Sequence, residues 1–176
     1  MLTQARASAA LLLGTALFFA VPTYAAALPD AFPVQPGIAS LVLATTDSEL
    51  EAVLSAPAIS LIGFESNPKT PSERNRFQLA RQNLRKGDAL LRFNTDAACS
   101  LMASKVRMGS PGKGRIFSAH YRFTCAEAAH LTSVAMGLFL AFPRLQHLFV
   151  RYEIAGLRGE AEANWSQPLI SFIPLF

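Results

Sequence analysis

Few side chains in this sequence are of types that do chemistry. Three histidines (His120, His130, His147), two cysteines (Cys99, Cys125) and an isolated Glu65 stand out. Imidazole, thiolate and carboxylate can ligate a metal ion, and a thiol or hydroxyl beside imidazole can act as a nucleophile. The spacing supports neither reading strongly. No two histidines lie at the i, i+4 spacing of a helical metal pair, and no H-E-x-x-H occurs. There is no G-x-S-x-G elbow. Gly109-Ser-Pro-Gly-Lys-Gly lacks the spacing of a phosphate loop and the Ser or Thr after lysine, and a strand-like run follows it, so it reads as a hairpin turn. Each histidine taken alone is expected to be a surface or internally satisfied side chain. Glu65 closes the apolar run from Ile59 to Phe64, where a carboxylate needs a partner, water or a ligand. From the residues alone, enzymatic activity is not expected.

The cysteines carry a clearer message. Cys99 begins the run Cys-Ser-Leu-Met-Ala-Ser-Lys-Val-Arg, and Cys125 ends Ile-Phe-Ser-Ala-His-Tyr-Arg-Phe-Thr-Cys. If these runs pair antiparallel around the Gly109–Gly114 turn, the first residue of one faces the last of the other. A Cys99–Cys125 disulfide would then staple the open end of a hairpin. The rival use, as thiolate metal ligands, lacks the C-x-x-C grouping of zinc sites.

The surrounding elements follow from periodicity. Ile38 to Thr45 and Leu50 to Ser55 read as a strand pair joined by a turn at Thr46-Asp47-Ser48. The stretch Ser55–Thr70 then leads to a helix start at Thr70-Pro71-Ser72-Glu73: Thr70 caps, Pro71 takes the first position and Glu73 completes a capping box. Phe77, Ala80 and Leu84 form its buried face, Arg74, Arg81 and Arg85 a solvated one, and Gly87 is expected to end it. Ala89 to Phe93 reads as a strand. After the second hairpin come the apolar Val134–Phe139, a short helix around Leu138–Gln146 interrupted near Pro143, and strands at His147–Ile154 and Gly159–Trp165. The Pro-bounded end from Pro168 to Phe176 reads as an edge strand. The order hairpin, apolar segment, helix, strand occurs twice, suggesting two pseudo-repeated halves. The expected fold is α+β, with mostly antiparallel sheet and two helices.

The first residues read as a secretory leader. Arg6 is the only charge before Asp30, an apolar run extends from Ala9 to Val21, and Ala25-Ala26-Ala27 offers cleavage after Ala25 or Ala27. The run is shorter than the ~20 residues that span a bilayer, and Pro22 follows it. Residues 1–27 are therefore assigned to the leader and 28–176 to a single domain, with no membrane anchor after cleavage. Without Arg6, the mature chain has 15 basic and 12 acidic residues. That balance is too mild to argue for nucleic acid.

A family resemblance is carried by an ordered set of motifs. The set runs L-x-A-x-L-S-A-P-A-x-x-L-I-G-F-E (Leu50–Glu65), a Thr-Pro helix start, Cys99, Y-R-F-T-C (Tyr121–Cys125) and L-F-x-A-F-P (Leu138–Pro143). It resembles the ZrgA family of zinc-regulated secreted proteins of Gram-negative bacteria over about Gly37 to Phe172. The resemblance implies a non-enzymatic periplasmic protein of zinc uptake and homeostasis, with zinc as metal and components of a zinc-import system as partners. The chain departs from the family pattern at three places. Pro36-Gly37 stands for a His-Gly, Ser66 for the histidine of G-F-E-H, and the short Met108–Arg115 turn for a His-rich insertion. Glu65 and His120 remain as candidate metal ligands. The alternative is a metal-free interaction module on the same scaffold.

Overall fold

The structure, a computed structural model, describes residues 35–110 and 114–172. The leader expected over 1–27, the lead to residue 34, the centre of the 109–114 turn and residues 173–176 lie outside them.

Alternation of side chains builds the larger sheet. In β1 (Ile38–Thr46) Ala39, Leu41 and Leu43 are buried, and in β2 (Glu49–Pro57) Leu50, Ala52, Leu54 and Ala56 are buried. The intervening residues point to the other face, as a period of two requires. The two strands pair antiparallel through a two-residue turn with Asp47 at φ 53°, a conformation that Asp tolerates better than most residues. β4 (Cys99–Gly109) and β5 (Ile116–Cys125) form the second hairpin, with Cys99 directly opposite Cys125. β7 (His147–Ile154) and β8 (Leu157–Asn164) form the third, turning on Ala155-Gly156, both at positive φ. The six strands lie in the order β4-β5-β2-β1-β7-β8. Every pairing is antiparallel except β1 with β7, which is parallel.

One face of this sheet is the core. Against it pack α2 (Pro71–Leu84) and a small antiparallel sheet, β3 (Leu91–Phe93), β6 (Ser133–Met136) and β9 (Leu169–Ser171), in the order β3-β6-β9. Ring contacts mark the interface: Phe77 on Phe117 at 5.7 Å, Phe93 on Phe123 at 5.1 Å and Tyr152 on Phe172 at 5.0 Å. Burial of these apolar faces is the main stabilising term. The buried Tyr121 hydroxyl donates to the Leu84 carbonyl at 2.6 Å, satisfying a carbonyl at the end of α2.

The helix start at Thr70 forms as its sequence specifies. The Thr70 hydroxyl accepts from the Glu73 N–H, and the Glu73 carboxylate accepts from the Lys69 and Thr70 N–H groups at 2.7 and 3.0 Å. Ala80 and Leu84 are buried, Phe77 is half-buried, and Arg74 and Arg85 are exposed.

Several boundaries differ from the sequence expectation. Among the described residues there are four helices, of which only α2 exceeds five residues. The apolar Ser55–Thr70 stretch contains α1 (Ala58–Ile62), closed by Gly63 at φ 84°. Gly87 does not cap α2; it opens α3 (Gly87–Leu90). Its lack of a side chain serves packing, since an added Cβ would lie 2.5 Å from the Tyr121 ring. The helix near Pro143 is only α4 (Leu138–Ala141). The two halves share an order of elements but not a placement: β3 joins the small sheet, whereas β7 joins the large one.

Candidate functional site

The opposite face of the six-stranded sheet carries most of the polar chemistry. Cross-strand register places its side chains in rows. One row runs Lys105, His120, Val53, Val42, Arg151, Glu160; the next runs Arg107, Ser118, Ser55, Ser40, Phe149, Glu162. A third runs Ala103, Arg122, Glu51, Ala44, Glu153, Arg158. Small and apolar residues occupy the middle of the first two rows, with charge toward both edges, whereas the third row sets Arg122 opposite Glu51.

Both sequence-selected ligands are exposed, and the fold does not bring them together. His120 is well inside β5 on this open face, between Lys105 and Val53. Glu65 follows α1 at the turn end of the hairpin, where its Oε1 would lie 3.8 Å from a Cβ at Gly114. His120 is four residues along β5 from Ile116, a rise of about 13 Å. His130 ends a 3-10 turn at Ala128–His130, and its carbonyl accepts from Asn94 Nδ2 at 2.8 Å.

The third histidine has the geometry that its sequence context did not announce. His147 Nδ1 lies 2.5 Å from Glu162 Oε1 across the β7–β8 pair, both side chains being nearly half exposed. A carboxylate on one ring nitrogen fixes the ring and leaves Nε2 as the other donor position. That is the arrangement by which proteins orient a metal-binding imidazole. The two residues are fifteen apart in sequence and meet only through the Ala155-Gly156 hairpin. A register count across that turn sets His147 opposite Asn164 and leaves Glu162 as its diagonal neighbour on the same face, which is the sequence signal that could have brought them together.

Elsewhere the reactive side chains are committed to structure. Cys99 and Cys125 form the expected disulfide, so neither thiol serves as nucleophile or metal ligand. Burial raises the Tyr121 hydroxyl pKa well above the ordinary phenol value, so it stays protonated and donates to Leu84. Among the described residues no three His, Cys, Asp or Glu side chains gather into a metal-binding group. None of the helices among them is long and apolar enough to cross a membrane.

Fold and surface together define a disulfide-stapled α+β domain whose polar chemistry lies on an open sheet face. The family model described as ZrgA family zinc uptake protein matches residues 34–172, and the chain belongs to that family. The family is described as one of zinc uptake. No curated protein matches the chain.

Proposed function

We propose that the protein is a non-enzymatic periplasmic accessory of zinc uptake, working beside components of a zinc-import system. Membership of the zinc uptake family across nearly the whole domain carries this reading. A secretory leader at 1–27 and a disulfide, which persists in oxidising compartments, support the periplasmic placement.

Zinc, as cargo, meets this chain at exposed imidazole and carboxylate donors. His147, oriented by Glu162, is the best prepared of these. His120 and Glu65 act as separate surface donors, because the fold holds them apart. One or two protein ligands leave the remaining zinc positions to water or to a partner, which makes an open and readily exchanging site.

Zinc titration of the purified protein, followed by the imidazole resonances of its histidines, tests this reading. The expected result is a saturable shift of His147 that is lost in Glu162→Ala and His147→Ala, with a weaker response at His120. Unchanged resonances for all three histidines up to millimolar zinc would overturn zinc binding and favour the metal-free interaction module.

A further inference from the structure

Charge on the open sheet face is matched at one side and unmatched at the other. Toward β8, Glu160 is held by Arg151 at 2.8 Å, Glu153 by Arg158 at 2.9 Å and Glu162 by His147. On β4, Lys105 and Arg107 have no ion-pair or hydrogen-bond partner among the described residues, whereas Arg122, one strand in, lies opposite Glu51. β4 is also an edge strand, with no strand on its outer side among those residues. It is eleven residues long. A free edge of that length presents backbone donors and acceptors that can template another strand.

The side chains along this edge alternate in a specific way. Lys105 and Arg107 point to the open face, whereas Val106 and Met108 are half-buried against the rim of the core. A strand added here would meet cations on one face and incompletely covered apolar groups on the other.

We infer that the β4 edge over 104–108 docks an extended acidic segment of a partner protein, in which carboxylate and apolar residues alternate. Strand addition supplies main-chain hydrogen bonds, and alternate side chains supply specificity. Carboxylates two residues apart fall opposite Lys105 and Arg107, while the apolar residues between them extend cover over Val106 and Met108. A second copy of this chain is the poorer occupant. Antiparallel β4-on-β4 pairing sets cations against cations. The β8 sequence Glu160-Ala161-Glu162-Ala163 has the required alternation, but its carboxylates are already held by Arg151 and His147. Joining β8 to β4 would also be a head-to-tail contact, which forms an open-ended array unless its rotation closes a ring. Edge cations commonly keep foreign strands away. With no carboxylate among the described residues paired to Lys105 or Arg107, the same cations select an acidic strand over others.

The test uses the purified, disulfide-intact protein without zinc, so its outcome is independent of the zinc reading. The probe is a fluorescein-labelled peptide of alternating Glu and Val, about as long as β4. Its binding is read by anisotropy at low salt. A control peptide has the same composition with the Glu and Val residues in two blocks. Expected are binding of the alternating peptide that weakens with added salt, and slowed exchange of amides within 104–108. The block peptide is expected to bind about tenfold more weakly, because its carboxylates cannot all fall on the cationic face. Lys105→Glu combined with Arg107→Glu is expected to reverse the preference toward an alternating Lys and Val peptide.

Equal binding of alternating and block peptides would overturn the inference, as would no binding of either. Unchanged affinity in the double variant, with its circular dichroism intact, would also overturn it. If that variant does not fold, the peptide comparison and amide exchange on the unaltered protein decide. Sedimentation completes the set: self-association of the unaltered protein through protected 104–108 amides would make the occupant a second copy and refute a partner strand.

Discussion

Loss of the Cys99–Cys125 bond has a magnitude that follows from its place in the fold. The bond joins residues 26 apart in sequence. A closed loop of that size lowers the entropy of the unfolded chain, which corresponds to about 3.5 kcal/mol of stability in the chain-entropy account. A domain of ordinary stability has about 5–15 kcal/mol in total, so the fold would be weakened severely without necessarily being abolished. The position of the bond adds a local effect. β4 is held laterally only by β5 among the described residues, and its register already slips between Leu101 and Ala103. Without the staple, the Cys99 end should fray before the turn end, while β1 and β2 remain paired. Urea unfolding with and without reductant measures the global effect. With a slope of about 1–3 kcal/mol per molar urea, the midpoint should fall by about 1–3 M. Cys99→Ala with Cys125→Ala should show a similar midpoint and lose its response to reductant. Amide exchange near Ser100–Met102 should accelerate more than at Lys105–Met108. A midpoint change below about 0.3 M would refute the entropic argument. Uniform acceleration along β4 would refute the local one.

Three further outcomes follow from side-chain geometry. Gly137→Ala would place a Cβ 2.2 Å from the Ala89 carbonyl oxygen; backbone must move, and thermal or urea unfolding should show a loss of about 3 kcal/mol. Tyr121→Phe keeps the ring but leaves the Leu84 carbonyl without its donor, so urea unfolding should show a loss of about 1–2 kcal/mol. Glu73 has its pKa lowered below 4.5, first by the Thr70 and then by the Lys69 backbone hydrogen bonds. Its ionised form therefore stabilises the fold above the unfolded-state pKa, and that contribution fades as pH falls through the lower folded-state value. The difference in urea midpoint between the unaltered protein and Glu73→Gln should be present at pH 7 and shrink steadily below pH 4.5.

Local rules made much of this molecule legible before its structure. The Thr70–Glu73 box, the first hairpin, the β7 boundaries and the facing cysteines all rest on interactions spanning a few residues or a single turn. Gly87 was misread for a physical reason. A glycine after a helix resembles a cap, but here it is required by contact with Tyr121, a residue 34 positions later. The short helix expected around Leu138–Gln146 likewise lasts only one turn, Leu138–Ala141.

The candidate site was legible only in its ingredients. The order of motifs pointed to the family, and the family pattern left Glu65 and His120 as candidate ligands. Their separation along β5, the meeting of His147 with Glu162 and the unmatched cations of β4 are decided by strand order and register. By itself, then, the sequence determined the local elements, the staple and the family, because each is written in short-range periodicity or motif order. Tertiary structure decided which donors share a neighbourhood. A parallel β1–β7 pairing and three hairpins bring distant residues into common rows, and no local spacing encodes that juxtaposition.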